Sequence, residues 1–228
     1  MLGTIVNTAT IVLGSVAGAT LRRGIKPQVQ SVLFTAMGLA SLALGFNAVA
    51  RTMPQSQYPV LFIVSLAIGG LAGTALDLDG RFKKLVEGKG KRGEGLAHGL
   101  STGILLYCIG TFSIVGPMLS ALEGDNTFLY TNATLDLITS AVLATTYGIG
   151  MVWAAPVLFC WQGMFYLVAR LCGPVIPDAL ISEIITVGGT LIVASGLSLL
   201  NIKDCRTLNL IPSLFVPIVF FALKSLLA

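Results

Sequence analysis

The sequence predicts an all-α integral membrane protein, and three observations carry that prediction. Of its 228 residues, 55% are hydrophobic and only 11% charged, against about 25% charged in an ordinary soluble domain. Apolar runs of the length that crosses a hydrocarbon layer, roughly 20 residues, recur along the whole chain. Those runs are continuous. A membrane barrel would instead show alternation over about ten positions, so helices are the spanning element. The gaps between runs are too short for a separate domain, and residues 1–228 read as one polytopic membrane domain.

Eight spans are expected. The first, Leu2–Leu21, lacks a basic leader and exceeds the apolar core of a secretory signal, so it reads as a span. Val32–Val49 and Tyr58–Leu76 follow. Asp77–Gly95 is the only sizeable loop and holds Arg81, Lys83, Lys84, Lys89, Lys91 and Arg92. Leu96–Leu119 is the fourth span, and the next connector, Ser120–Thr134, holds no Lys or Arg. Leu135–Cys172 is a helical hairpin or one span plus a re-entrant piece. Its 38 residues are about twice one span, which favours a hairpin, Leu135–Gly150 and Val152–Cys172, hinged at Gly148–Gly150 where glycine permits a tight turn. Ile181–Leu200 and Leu208–Leu227 complete the set.

Basic residues concentrate in cytoplasmic connectors. Placing Arg22, Arg23, Lys26 and the Asp77–Gly95 loop inside also puts Lys203 and Arg206 inside. Eleven of fourteen basic residues are then cytoplasmic and both termini face out. A seven-span count gives the same charge balance, so length alone decides between them. The net charge of +4 is thus orientation bias and not a nucleic-acid signal.

Two stretches resemble each other. Thr35, Gly38, Ala43 and Gly45 of span 2 align with Thr186, Gly189, Ala194 and Gly196 of span 7, and Pro59–Phe62 aligns with Pro212–Phe215. With eight spans the paired segments run in opposite directions. Spans 1–3 and 6–8 would then form an inverted-topology repeat, a common plan of secondary transporters. Against this stands the small alphabet of membrane helices, which produces such identities by chance.

Polar groups inside spans are the functional candidates, because burying them unpaired is costly. Asn7 and Thr10 share a face of span 1. In span 4, Gly110, Thr111 and Ser113 precede Gly116 and Pro117. Proline clashes with the carbonyl four residues back, which marks a kink near Ser113. Asp136 opens span 5, either as a first-turn acid matched to the helix dipole or as an ion site at the outer mouth, with Thr145 further along. Span 6 carries Pro156 and Gln162, the latter read as an interhelical hydrogen-bonding group or a ligand. The expected pathway lining is Asn7, Thr111, Ser113, Asp136, Thr145 and Gln162. The expected helix breaks are Gly110, Gly116, Pro117, Gly148, Gly150 and Pro156.

Other patterns have structural readings. Gly14–Gly18, Gly69–Gly73 and Gly99–Gly103 fit G-x-x-x-G, which lets helices approach closely and also suits a homodimer interface. The four cysteines show no C-x-x-C pair and read as small hydrophobes. Gly99–Gly103 also matches G-x-S-x-G, but a nucleophile elbow needs a preceding strand. Asn132-Ala133-Thr134 is a glycosylation sequon in an outward loop. No metal motif or paired intramembrane carboxylates are present, so neither an enzyme nor a cofactor is implied.

The motifs GTIVNTATIVLGSVAGATLRRG, LAIGGLAGTALDLDG, CIGTFSIVGPMLSALEGD, TLDLITSAVLATTYGIGM, VGGTLIVASGLSLLNIK and NLIPSLF, in this order over nearly the whole chain, resemble the YqgA/YdfK-like family of bacterial inner-membrane proteins. The resemblance implies an inner-membrane, multi-span protein and supplies no activity. The matching positions include Asn7, Gly110, Asp136, Gly148, Gln162, Asn209 and Pro212. Relatives tend to carry a lysine where this chain has Asn132, so an anion-binding reading near Asp136 loses its natural partner.

The expected function is a small transporter or channel for a small solute or monovalent ion. The alternative is a non-transporting scaffold whose basic loop Arg81–Arg92 meets lipid headgroups or a cytoplasmic partner. The expected partners are the lipid bilayer and a second copy of the chain.

Overall fold

Continuous apolar sequence leaves the backbone only its own groups to bond, and the helix satisfies them locally. A computed structural model describes residues 1–21, 26–87, 95–173 and 177–227. Its α-helices are α1 (Leu2–Thr20), α2 (Pro27–Thr52), α3 (Leu61–Ala75), α4 (Leu78–Glu87), α5 (Gly95–Ile109), α6 (Thr111–Leu122), α7 (Thr127–Tyr147), α8 (Ala154–Cys172), α9 (Asp178–Leu199), α10 (Thr207–Leu210) and α11 (Val216–Leu227). Short 3₁₀ turns lie at Met53–Gln55, Ile149–Trp153 and Ile211–Phe215. Among the described residues five helical stretches are long and apolar enough to cross a bilayer, or six when the bent α5–α6 pair is counted as one span. Large apolar side chains such as Leu71, Trp153 and Leu171 are more than 70% exposed, which suits contact with lipid and not with water.

Backbone contacts divide the chain into two units. The first comprises residues 1–37 and 82–171. Within it α1 and α7 run in the same direction: Gly3 lies against Leu129, Gly14 against Leu137 and Ser140, and Gly18 against Ala141. The close approach at Gly18 is obligatory, since a Cβ there would sit 2.1 Å from the Ala141 carbonyl oxygen. The α5–α6 rod runs the other way along α7, with Gly99 against Tyr147 and Gly116 against Leu129. A core of Ile11, Tyr107, Cys108, Ala154, Ala155 and Leu158 joins α1, α5 and α8. The chain turns between α7 and α8 at Gly148, whose φ of +81° is open to glycine and strained for other residues. Residues 135–172 are therefore two helices, and the turn falls at the expected hinge.

The second unit comprises residues 38–81 and 172–228. Here α2 and α9 cross antiparallel, Gly38 facing Gly196 and Gly45 facing Gly189. The Thr52 and Thr186 hydroxyls meet at 2.8 Å. Helix α3 packs antiparallel to the last span, with Gly69 against Ser213 and Gly73 against the Asn209 carbonyl. Tyr58 stacks edge-on against Phe220 and Phe221, and its hydroxyl accepts from Lys224 at 2.6 Å.

Several expectations are corrected. The connector expected at Ser120–Thr134 is confined to Glu123–Asn126. The Asp125 carboxylate accepts from the Thr127 backbone N–H at 2.8 Å and so starts α7 eight residues before Leu135. Asn132 thus lies buried inside a helix, where a glycosylation sequon has no use, and Asp136 is in the third turn of α7 instead of its first. The break in span 4 is at Gly110, where extended backbone separates α5 from α6 with a 44° bend. Gly116 and Pro117 lie inside a continuous α6, the proline removing one backbone hydrogen bond without ending the helix. Likewise Pro156 falls within the first turn of α8 and leaves it intact. Part of the Asp77–Gly95 loop is helical, as α4, with Asp79 in its first turn and Lys84 in its last, matching the helix dipole. The final span is composite, a 3₁₀ segment at Pro212 joining α10 to α11. Arg22, Arg23, Lys89, Lys91 and Arg92 lie outside the described residues.

Candidate functional site

The first unit buries a connected set of polar side chains among its apolar helices. Its hub is Ser113 in the first turn of α6, fully buried. The break at Gly110 leaves the last carbonyls of α5 without continuing helical donors, and the Ser113 hydroxyl donates to the Tyr107 carbonyl. Its lone pairs accept from Asn132 Nδ2 at 3.2 Å and Gln162 Nε2 at 3.1 Å. Asn132 Nδ2 also donates to Asp136 Oδ2 at 2.9 Å, one helical turn along α7. Four elements, α5 to α8, are tied together by these bonds.

Asp136 is 5% exposed. The Asn7 amide on α1 faces its carboxyl, yet Asn7 Nδ2 makes no hydrogen bond. Thr10 donates to the Asn7 side-chain oxygen at 3.4 Å and to its carbonyl at 2.7 Å, holding that side chain on the α7-facing side. Tyr107, 1% exposed, turns its hydroxyl toward Ser140 without reaching hydrogen-bond geometry, and Gln162 Oε1 is likewise buried and unpartnered. Unpaired buried polar atoms cost about 1–3 kcal/mol each, and a native site that keeps three of them calls for an explanation such as a ligand or ordered water.

Of the six residues expected to line a pathway, Asn7, Ser113, Asp136 and Gln162 come together here. Thr111 is buried two residues from the hub, at the start of α6. Thr145 lies apart, half-buried near the end of α7, with its hydroxyl on the Val142 carbonyl at 2.7 Å. Tyr107 and Ser140 are not among the expected pathway residues, and Asn132 is read in the sequence only as part of a sequon and as the position of a lysine in relatives. Asn132 hides in a polar run that reads as a loop, and Tyr107 and Ser140 read as ordinary span residues. A further buried acid, Glu183, lies in the second unit, 1% exposed. It accepts from Ser56 Oγ at 2.5 Å and the Tyr58 backbone N–H at 3.2 Å, which ties the α2–α3 connector to α9. An open groove of about 340 Å³ between α1 and α8 is lined by Val12, Trp153, Pro156 and Phe159 among others, with Thr8 as its polar member. None of the six expected pathway residues lines it.

Residues 2–222 match the family described as "Protein of unknown function (DUF554)". The chain is 53% identical over 226 residues, 99% of its length and 98% of the relative's, to the "Uncharacterized membrane protein YdfK" of Bacillus subtilis (strain 168). It is 25% identical over 225 residues, 95% of this chain and 94% of the other, to the "Uncharacterized protein YqgA" of Escherichia coli (strain K12). No solved structure matches. With apolar helices long enough to cross a bilayer and a full-length match of this kind, the chain is a helical membrane protein belonging to the DUF554 family of unknown function.

Proposed function

We propose that the protein is a small transporter or channel for a small solute or monovalent ion, in a bacterial inner membrane, with a pathway through the polar cluster around Asp136. The observation that carries this reading is a buried carboxylate beside a broken helix, surrounded by Asn7, Tyr107 and Gln162 atoms that lack partners. Broken helices with polar groups at mid-span are how membrane transporters present backbone and side chains to a solute, whereas a scaffold gains nothing from polar atoms it leaves unpaired.

The second unit supports the inverted repeat. Under the sequence alignment Gly38 corresponds to Gly189 and Gly45 to Gly196. In the packing the partners are exchanged, Gly38 meeting Gly196 and Gly45 meeting Gly189. A two-fold axis across the α2–α9 crossing produces this exchange. The antiparallel α2–α9 pair also favours eight passes, because seven would make these helices parallel. Eight passes put both termini on one side, and the basic connectors make that side the outside.

The test is reconstitution. Purified protein in liposomes passes a solute or ion from a broad panel, and Asp136→Asn changes that flux. No flux above empty vesicles for any member of the panel sinks the reading.

A further inference from the structure

We propose that the Asp136 cluster binds one alkali-metal cation of sodium or potassium type. The inference deepens the transport reading and rests on it for the cation's use, as cargo or coupling ion, but not for its binding.

Charge comes first. Asp136 is an acid at 5% exposure in α7, the fifth span of the proposed eight. Asn132 on α7 bonds it, Asn7 on α1 and Tyr107 and Cys108 on α5 interact with it, and Ser113 on α6, Ser140 on α7 and Gln162 on α8 join through these. None is basic, and among the described residues no Lys, Arg or His pairs with Asp136. An intramembrane acid is normally matched by a partner of opposite charge. Here the protein supplies amides and hydroxyls instead, and Asn132, which bonds the carboxylate directly, is neutral.

The helix break adds to the same field. Tyr107 and Cys108, both within electrostatic reach of Asp136, belong to the last turn of α5, the negative end of that helix's dipole. A carboxylate beside such an end attracts a cation, and C-terminal ends of broken helices coordinate monovalent ions in transporters generally.

Oxygen atoms are available to bind it. The Tyr107 hydroxyl and Gln162 Oε1 are buried and unpartnered, and Gln162 is anchored through its nitrogen to Ser113, which fixes its orientation. The charge count selects a single positive charge. Hard divalent ions recruit several carboxylates, and among the described residues no three His, Cys, Asp or Glu gather to hold one.

Binding is read without flux, from the thermal unfolding of the purified full-length protein in detergent. Sodium, potassium and choline chlorides are compared at matched ionic strength. A ligand that binds only the folded state raises the midpoint in a saturable way. The expected result is a saturable rise in sodium or potassium over choline, lost in Asp136→Asn and shifted to several-fold higher cation concentration in Tyr107→Phe. Equal midpoints in the three salts overturn the proposal, as does a response to pH alone, or a rise that persists unchanged in Asp136→Asn. Should Asp136→Asn fail to fold, Tyr107→Phe carries the test, and an unchanged half-saturation point overturns the proposal. A cation-dependent rise with no flux in liposomes upholds the site and removes the transport reading. Flux of a neutral solute with no such rise does the reverse.

Discussion

A serine hydroxyl has one proton to give and two lone pairs to offer, and Ser113 uses all three, on Tyr107, Asn132 and Gln162. Ser113→Ala strands two buried amide donors and a carbonyl at once. At about 1–3 kcal/mol for each orphaned group, with partial relaxation, the expected loss is about 2–3 kcal/mol, measurable as a lower unfolding midpoint in detergent. Asn132→Ala removes the amide that donates to the Asp136 carboxyl, and leaving that buried acceptor unpaired costs about 1–3 kcal/mol. A neutral effect of both substitutions contradicts the hydrogen-bonded hub. At this scale the sequence was partly legible. Asn7, Ser113, Asp136 and Gln162 stood out because each is polar within an apolar run. Asn132 did not, because the eight residues Thr127–Thr134 contain four polar side chains and read as a connector. What makes them helical is the carboxylate of Asp125 on the Thr127 N–H and the packing of Phe128 against Phe112. The second of these is tertiary and invisible to local pattern.

Helices here are shaped by where glycine sits. Gly148 has φ of +81°, and a Cβ added there meets nothing within 4 Å. Gly148→Ala therefore reports backbone strain alone, about 1–3 kcal/mol for an L-residue held at φ +81° and ψ −173°, read as a lower unfolding midpoint. Gly73 is the opposite case: ordinary helical backbone, but a Cβ would lie 2.0 Å from the Asn209 carbonyl oxygen. Overpacking of this kind costs roughly 1–3 kcal/mol or more, so Gly73→Val should separate α3 from α10 and lower the midpoint further than Gly148→Ala does. All three G-x-x-x-G pairs are occupied by helix contacts within the chain, at α7, at the last span and at Tyr147 and Met151. Element positions were legible to within a few residues for most spans, since a hydrophobic run of about 20 residues has one natural length in a bilayer. Of the three breaks expected in span 4, the chain breaks at Gly110 and continues as helix through Gly116 and Pro117. Proline advertises a kink in sequence, yet the backbone turns extended at Gly110, where α5 stops and Ser113 takes up the freed carbonyl.

Across the whole molecule, helix directions carry the functional reading. Antiparallel α2 and α9 suit the proposed eight passes, and the basic connectors orient the termini outward in that reading. In a cysteine-free background of otherwise full-length protein, Asp125→Cys should react with an impermeant maleimide added to intact cells, and Lys203→Cys only after lysis. Reaction of both from outside, or the reverse pattern, contradicts the topology. Composition and span length reveal the membrane class directly. Antiparallel crossings need coordinates, because identical small residues serve parallel and antiparallel pairs equally well. The polar cluster around Asp136 matters only if something passes it. The decisive measurement is flux across liposomes holding the wild-type protein or Asp136→Asn, with a panel of alkali cations and small neutral solutes. The expected result is protein-dependent flux of at least one member, changed by the substitution. Wild-type vesicles no leakier than empty ones, or an Asp136→Asn protein that conducts identically, contradict it.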